Sequence, residues 1–313
     1  MSESTSLAGR TAIVTGAGAG LGRSEALALA ANGARVVVND IGPTAEEVVA
    51  EIRSAGGEAV AVVGDVGDWS IGDRLVGAAL DSFGSLDIVV NNAGVVRDKM
   101  LFNLTESDWD EVVRIHLKGH AAMSRAAGAY WRRASKAAGA PVYARIINTS
   151  SEAGLLGAVA QPNYSAAKAG ITALTLSTAR SLSRYGVRAN VICPRARTGM
   201  TAQIFGAHQP ESAGPDILSP ERVATFVAYL AAPAAQEING QVFVVYGDMV
   251  ALLSAPTVER KFTAGGEAFT VDELAGQLTG YFSGRDPRRT FAAHAVAELD
   301  TAVVASAATG QPG

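Results

Sequence analysis

The chain has 313 residues, of which 48% are hydrophobic and 18% charged, and this size suits one large α/β domain with an appended tail. Lys and Arg total 26 against 30 Asp and Glu, with no run of basic residues, so we expect no nucleic-acid partner. The first ten residues lack a signal-peptide pattern, no apolar stretch reaches about 18 residues, and Cys193 is the only cysteine, so we expect a cytoplasmic protein without a membrane span.

Short runs rich in β-branched residues alternate with longer helical segments over the first 247 residues. Each run has four to six residues and is almost entirely apolar, which is typical of strands buried on both faces of a parallel sheet. Seven such runs separated by helices predict an α/β protein with a doubly wound parallel seven-stranded sheet, a Rossmann fold. The predicted strands are residues 11–15, 34–39, 59–63, 86–90, 144–148, 189–192 and 241–245.

Two helical segments begin with a capping-box pattern, in which a threonine is followed three residues later by an acid. These are Thr105 with Asp108 and Thr270 with Glu273. The second segment lies where the alternation of strands and helices has stopped. We therefore predict a Rossmann domain over residues 1–247 and a helical C-terminal extension over residues 248–313.

A glycine-rich turn, TGAGAGLG, joins the first predicted strand to a helical segment. In this setting Gly16 permits a tight turn, and Gly20 beside Leu21 lets the backbone approach a pyrophosphate. Gly22 allows the helix and the strand to pack closely, and the helix start favours an anion. The turn predicts a dinucleotide site. The alternative is a purely structural turn, which its position between strand and helix disfavours.

Asp40 ends the second predicted strand, twenty residues after Gly20. An acid at this place can accept hydrogen bonds from an adenosine ribose, and its charge repels a 2′-phosphate. Neither Ala19 nor Ile41 supplies the positive charge that would attract that phosphate. We therefore predict NAD as the cofactor. The alternative is a solvated carboxylate at a strand end.

Tyr164 and Lys168 lie four residues apart, so on a helix their side chains share one face. A free phenol has a pKa near 10. An ammonium about 4 Å away would favour the phenolate by roughly 4 kcal/mol, lowering that pKa by about three at most before desolvation is subtracted. The pair therefore predicts a general acid and base, and the alternative is an ordinary helical surface pair.

The glycine turn, the sequence NNAG at 91–94 and the Tyr-x-x-x-Lys pair, in this order, resemble the short-chain dehydrogenase/reductase family over residues 8–247. The resemblance implies an NAD-dependent oxidoreductase that interconverts a secondary alcohol and a ketone by hydride transfer. It also implies further site residues. These are Asp65 and Val66 at the adenine, Asn92 against the cofactor, Ala196 and Thr198 near the nicotinamide, Lys168 at the nicotinamide ribose, and Ser151 on the reacting oxygen.

His116 departs from the family pattern, because many members have an asparagine there that feeds a water chain to the lysine. A histidine can also donate and accept hydrogen bonds, so we expect His116 to serve in a relay whose details stay open. His116 and His120 have the spacing of a helical metal pair. No third ligand pattern accompanies them and the implied hydride chemistry needs no metal, so we expect none.

The segment after the sixth predicted strand also departs from the family, because Pro194 is followed by Arg195 where glycine is common. Arg195 and Arg197 have two open interpretations, as contacts to an anionic substrate or as ordinary surface charges. Residues 198–218 mix Gly, Pro and apolar residues without periodicity. We expect a lid over the substrate there, since substrate loops lie beyond the carboxyl ends of parallel strands.

Three stretches narrow the resemblance: GAGAGLGR with VVVND, VVNNAGVVRDKML with RIHLKGH, and the long tail. They resemble the (3R)-hydroxyacyl-CoA dehydrogenase portion of peroxisomal multifunctional β-oxidation enzymes, also described as a 17β-hydroxysteroid dehydrogenase. The resemblance implies a free-standing bacterial form, a lipid or acyl-CoA substrate, and a homodimer or homotetramer joined through alanine-rich helices. The alternatives are an NADPH-dependent 3-oxoacyl-carrier-protein reductase and a non-catalytic nucleotide-binding module.

Overall fold

The chain forms two compact units, Met1–Leu253 and Ser254–Gly313. The computed structural model describes residues 3–201, 216–286 and 289–299, so most of the predicted lid lies outside the described residues. Within those ranges no helix is both long and apolar enough to cross a membrane.

One eight-stranded sheet forms the centre of the first unit, in the order β3-β2-β1-β4-β5-β6-β7-β8. The strands are β1 (Thr11–Thr15), β2 (Arg35–Asp40), β3 (Ala59–Val63), β4 (Ile88–Asn91), β5 (Ala144–Thr149), β6 (Val187–Pro194), β7 (Val242–Tyr246) and β8 (Met249–Leu252). The first seven run parallel, and β8 runs antiparallel to β7. All seven predicted strands are therefore confirmed, but the predicted number of strands is wrong by one.

The eighth strand arises from a hairpin. Gly247 and Asp248 connect β7 to β8, and Tyr246 pairs with Met249 across this two-residue turn. The φ angle of Gly247 is 58°, the left-handed conformation that two-residue hairpin turns require. A Gly-Asp dipeptide between two apolar runs is the sequence signal for such a turn. The predicted domain boundary at residue 247 falls inside this hairpin.

Helices cover both faces of the sheet. They are α1 (Gly20–Ala31), α2 (Thr44–Ser54), α3 (Ile71–Phe83), α4 (Glu106–Val113), α5 (Gly119–Ala138), α6 (Glu152–Leu156), α7 (Pro162–Leu182) and α8 (Pro220–Ala231), with a π-helical turn at Arg114–Lys118. Helices α1, α2 and α8 contribute to one hydrophobic core, and α3, α5 and α7 to the other. Strand residues alternate between them, since Val36 and Val38 lie in the first core and Val37 in the second. This is the predicted doubly wound arrangement.

Both predicted capping boxes are present. Thr105 and Asp108 exchange hydrogen bonds at the start of α4, and Thr270 and Glu273 do so at the start of a short helix, α9 (Val271–Leu274). In the second unit α9 continues through a π-helical turn into α10 (Gly280–Ser283). Within the described part of the extension, residues 271–283 are helical, at the place where the capping pattern predicts a helix, and residues 254–270 form neither helix nor strand.

The strand order determines where a ligand can bind. β1 pairs with β2 on one side and with β4 on the other, so the chain reverses its winding direction at β1. In open α/β sheets ligands bind beyond the carboxyl ends of the strands at such a switch point. The glycine turn follows β1, and NNAG lies at the end of β4.

Glu25 is a buried acid on α1. It is fully buried, one helical turn from Leu21 and from Leu29. Neither of its carboxylate oxygens has a hydrogen-bond partner within the part of the chain that the structure describes. Burial raises the pKa of this carboxyl from 4.5 to about 8. In the pH range between these values the folded chain holds a proton that the unfolded chain releases.

We expect the stability of the protein to fall as pH rises from 4.5 to about 8, because folding then takes up a proton on Glu25. The free energy of unfolding should fall by about 5 kcal/mol over this pH range because of Glu25. Glu25→Gln does not titrate, so its melting temperature should change less between about pH 5 and about pH 9. Calorimetric melting of both proteins measures this difference, and equal pH dependences would contradict the prediction.

Candidate active site

One cavity of about 380 Å³ opens at the carboxyl ends of the strands. Every predicted site residue except Gly22 lines it. These residues are Gly16, Gly20, Leu21, Asp40, Asp65, Val66, Asn92, His116, Ser151, Tyr164, Lys168, Ala196 and Thr198. Their positions range from residue 16 to residue 198, so the fold brings together residues from six connections between strands of the sheet.

The glycine turn has the backbone geometry that its sequence predicts. Gly16 and Gly20 have φ angles of 63° and 54°, a conformation that residues with a Cβ rarely adopt. A Cβ on Gly22 would lie 2.3 Å from the carbonyl oxygen of Gly16 and 2.4 Å from Asn92 Nδ2. Gly22 therefore does not line the cavity but allows α1 to pack closely against the ends of β1 and β4 beside it.

Asp40 is more than a solvated strand-end carboxylate. Its Oδ2 accepts a hydrogen bond from the N–H of Gly18 at 2.9 Å, and its Oδ1 accepts one from Gly42 at 3.3 Å. Gly18 was absent from the predicted site, although it lies in the same glycine turn. A Cβ on Gly18 would lie 2.9 Å from this carboxylate. Asp40 thus shapes the turn while lining the cavity.

Asp65 and Asn92 are held in place by hydrogen bonds and, for Asp65, by an ion pair. Asp65 Oδ1 accepts a hydrogen bond from Gly67 N–H at 2.7 Å, and Oδ2 pairs with Arg114 at 2.6 Å. Asn92 Nδ2 donates to the carbonyl oxygens of Thr15 and Gly16, both at 3.1 Å. Asn92 therefore ties the end of β4 to the end of β1. The ion pair with Arg114 had no signal in the sequence, because the two residues are distant along the chain.

Ser151, Tyr164 and Lys168 converge from two helices. Ser151 caps α6, and its Oγ accepts a hydrogen bond from Ala153 N–H at 3.2 Å. Tyr164 and Lys168 lie one turn apart on α7, and the Ser151 hydroxyl lies close enough to Tyr164 to oppose the rise in the pKa of its phenol. This arrangement can hold an oxygen atom of a bound molecule and exchange a proton with it.

The expectation that Lys168 lowers the pKa of Tyr164 is wrong for the chain by itself. Desolvation raises the pKa of Tyr164 to about 12, opposed by the hydrogen bond with Ser151. Burial lowers the pKa of Lys168 to about 7. Lys168 Nζ donates to the carbonyl oxygen of Thr149 at 2.6 Å and lies 5.4 Å from the centroid of the Tyr164 ring. Burial, and not the lysine one turn away, therefore sets the pKa of Tyr164 in this structure.

His116 lies in the π-helical turn and reaches the cavity beside Tyr164. Its Nε2 is within hydrogen-bond distance of the Val95 carbonyl oxygen (2.7 Å) and N–H (3.0 Å). Its ring meets that of Tyr164 edge-on, with 5.2 Å between centroids. Burial holds the pKa of His116 well below its ordinary value, so the imidazole is neutral. These contacts join His116 to Val95 and Tyr164, and a relay from His116 to Lys168 stays a prediction.

Arg195 and Arg197 are both in ion pairs with largely buried carboxylates, so neither is an ordinary surface charge, and a contact with an anionic substrate stays a prediction. Arg195 binds the Glu152 carboxylate through two contacts of 2.6 Å, and Arg197 binds Asp216 at 3.0 Å. Glu152 was absent from the predicted site, although an acid directly after Ser151 is a visible signal in the sequence.

The cavity has the chemistry that a nicotinamide dinucleotide needs. Glycine backbone at one end suits a pyrophosphate, and Asp40 suits a ribose. At the other end Lys168 and the buried Oγ1 of Thr149 line the wall, and that hydroxyl has no partner among the described residues. A bound nicotinamide nucleotide would lie between Asp40 and Lys168.

The Rossmann sheet, the glycine turn and the serine, tyrosine and lysine around one cavity define an oxidoreductase of the alcohol dehydrogenase type that uses a nicotinamide nucleotide. The chain belongs to the short-chain dehydrogenase family, whose sequence profile, described as short chain dehydrogenase, matches residues 10–208. The predicted family is confirmed.

Its relatives include single-function and multifunctional proteins. The chain is 55% identical over 299 residues to hydroxyacyl-CoA dehydrogenase ChsB1 of Mycobacterium tuberculosis, across 93% of this chain and 94% of that one. It is 40% identical over 247 residues to peroxisomal multifunctional enzyme type 2 of Mus musculus, across 76% of this chain and 31% of that one. The crystal structure of a short chain dehydrogenase from Mycobacterium avium has a TM-score of 0.81 and 44% identity, covering 90% of this chain and 97% of that chain.

Gly22→Ala should weaken nucleotide binding by about tenfold or more and lower the melting temperature, because the added methyl group forces Gly16 and Asn92 apart. Titration with NAD and a thermal melt measure both effects. Gly77→Ala is the matched control, since a Cβ on this α3 glycine meets nothing within 4 Å. This control should be as stable as the wild type or more so. Equal behaviour of the two variants would contradict the packing role of Gly22.

Proposed function

We propose that the protein is an NAD-dependent dehydrogenase that interconverts (3R)-3-hydroxyacyl-CoA and 3-oxoacyl-CoA thioesters, with 17β-hydroxysteroids as a second substrate class. Such reactions belong to lipid or sterol side-chain degradation. The observation that carries the proposal is the 55% identity, over 93% of this chain, to a protein named hydroxyacyl-CoA dehydrogenase. The geometry supports the reaction type, because Ser151, Tyr164 and Lys168 line one cavity with the glycine turn.

Tyr164 is the general acid and base of the proposal. It takes the proton of the substrate hydroxyl during oxidation and returns one during reduction. Ser151 donates a hydrogen bond to the same substrate oxygen and steadies the charge that develops there. Lys168 holds the nicotinamide ribose. A bound nicotinamide supplies the site of hydride exchange and, when oxidised, a fixed positive charge.

Without a bound nucleotide, the pKa values of Tyr164 and Lys168 favour proton donation by Tyr164, which is the direction that reduction needs. With a pKa of about 12, Tyr164 holds its proton at neutral pH and is ready to donate it to a ketone oxygen. Oxidation requires that pKa to fall. Two positive charges can lower it, the protonated Lys168 ammonium and an oxidised nicotinamide. Because the pKa of Lys168 is about 7, its own contribution weakens as pH rises through neutrality.

Asp40 supports NAD as the cofactor. Its carboxylate ends β2 and lines the cavity, where it would face the adenosine ribose. Among the cavity-lining residues that the structure describes, Lys168 is the sole Lys or Arg. It binds the end of β5, three strands from β2 in the sheet, which is about 14 Å. Among the described residues that line the cavity near Asp40, none carries a positive charge to offset the repulsion between Asp40 and a 2′-phosphate.

A homodimer or homotetramer is part of the proposal. Helix α7 carries Tyr164 and Lys168 on its inner face, and Leu176 on the same helix is 40% exposed. Small residues on α5 and α7 would let another subunit approach these helices closely.

A substrate panel tests the proposal and separates its alternatives. Initial rates are measured with (3R)-3-hydroxyacyl-CoA thioesters of several chain lengths, a 17β-hydroxysteroid and 3-oxoacyl-carrier protein, each with NAD(H) and with NADP(H). We expect NAD-linked turnover of the thioesters. Preferred reduction of the carrier-protein substrate with NADPH would instead identify the reductase. Nucleotide binding without turnover of any substrate would identify a binding module.

Tyr164→Phe should lower kcat by at least about a thousandfold while NAD affinity stays within about twofold, because it removes the exchangeable proton and keeps the ring. The rates with the best substrate and the dissociation constant of NAD measure the two effects. Tyr229→Phe is the matched control, since this tyrosine is exposed on α8 and outside the cavity. Substantial turnover by the Tyr164 variant would refute the assigned role.

Asp40→Asn should raise the ratio of kcat/KM for NADP to that for NAD by about tenfold or more, because it removes the charge that repels a 2′-phosphate. The two ratios come from initial rates at saturating substrate with each cofactor varied. Asp73→Asn is the control, since this acid is exposed on α3. A wild-type preference for NADP, or an unchanged ratio in the variant, would contradict the role of Asp40.

A further inference from the structure

A largely buried ion pair involves the residue that directly follows Ser151 in the chain. Arg195 Nε and Nη2 each lie 2.6 Å from one oxygen of the Glu152 carboxylate. The two side chains are only 15% and 17% exposed. A planar guanidinium that meets both oxygens of a carboxylate fixes orientation as well as distance, which a single contact does not.

One partner of this pair begins the helix that carries Ser151. Glu152 is the first residue of α6, and Ser151 is the residue that caps it. This helix has five residues, too few to hold its own shape in water, so its position depends on what it contacts. Gly154 packs against α7, where a Cβ would lie 2.6 Å from the backbone nitrogen of Ala169.

The other partner is anchored to the sheet. Arg195 follows the last residue of β6, and its N–H donates to the Val245 carbonyl oxygen at 3.0 Å. Its guanidinium lies 4.6 Å from the centroid of the Tyr246 ring. Both chain neighbours of Arg195, Pro194 and Ala196, line the cavity. Arg195 therefore links α6 to the rigid end of β6 and β7.

We propose that Glu152 and Arg195 are positioning residues that hold Ser151 against Tyr164. Helix α7 supports α6 on one side, and the two-contact ion pair supports it on the other. Together they fix the place of the Ser151 hydroxyl beside the substrate oxygen. The proposal rests on the dehydrogenase function given above, because only turnover makes the position of Ser151 matter.

Arg195→Lys tests the geometry of the pair separately from its charge. Lysine keeps the positive charge but cannot contact both carboxylate oxygens in one plane. We expect kcat to fall about tenfold to a hundredfold, while KM and the NAD dissociation constant stay within about twofold. Arg23→Lys is the matched control, because Arg23 also contacts both oxygens of its partner, Glu51, but does so on the surface. A kcat equal to that of this control would overturn the proposal.

A double-mutant cycle shows whether the pair acts through Ser151. In the Ser151→Ala background, Arg195→Lys should lower kcat by less than about twofold, since the hydroxyl that the pair positions is already gone. A purely structural role of the pair would give the same fold loss with and without Ser151. If Arg195→Lys lowers kcat by the same factor in both backgrounds, so that the two losses multiply, the proposal is overturned.

Hydrogen exchange tests the pair without any substrate. The N–H groups of Gly154 and Gly157 donate to the carbonyl oxygens of Ser151 and Ala153. In Arg195→Lys these α6 amides should exchange about tenfold faster or more, while exchange in α1 is unchanged. Unchanged exchange in α6 would overturn the proposal. Lack of wild-type turnover in the substrate panel would refute the proposed function, and the exchange rates would still decide the structural part of this inference.

Discussion

The parallel pairing of β1 with β4 is the constraint on which the rest of the site depends. In this register Thr15 lies opposite Asn91, so the glycine turn and the NNAG segment leave the sheet side by side. Asn92 then reaches the carbonyl oxygens of Thr15 and Gly16, and Gly22 packs behind them. A shift of one residue would reverse the faces of the strand and separate these groups.

The carboxyl ends of β4 and β5 also hold the catalytic residues in place. Asn91 Nδ2 donates to Asn148 Oδ1 at 2.8 Å, which joins β4 to β5 through buried side chains. The end of β5 supplies the Thr149 carbonyl oxygen that holds Lys168, and Ser151 follows it by two residues. Because the strands are parallel, their carboxyl ends lie side by side, and the nucleotide part and the catalytic part of the cavity are neighbours along this edge of the sheet.

Burial sets the chemistry of the charged groups near the cavity. Tyr164 and Lys168 both have pKa values shifted toward their neutral forms, and His116 is neutral. Arg195 keeps its charge, because the hydrogen bonds to the Glu152 carboxylate raise its pKa against the effect of burial. A site built in this way contains few fixed charges of its own, so the charge of a bound nicotinamide has a large effect on Tyr164.

The sequence by itself determined the features that depend on neighbours along the chain. Seven strands, two capping boxes, the glycine turn and the shared face of Tyr164 and Lys168 follow from local spacing, because backbone geometry repeats over a few residues. The family resemblance added the more distant site residues, such as Ser151 and Asp65. The Gly-Asp turn between two apolar runs is also a local signal for a hairpin, so the sequence alone could have predicted β8.

Only the tertiary structure decided which groups are desolvated and which distant residues meet. Glu152 and Arg195 are 43 residues apart, and Asp65 and Arg114 are 49 apart, so no local pattern pairs them. The pKa of Tyr164 rises because the folded chain removes water from it, and the lysine one turn away does not prevent this rise. Spacing on a helix sets which side chains are neighbours. Their ionisation depends on how much solvent the rest of the fold excludes.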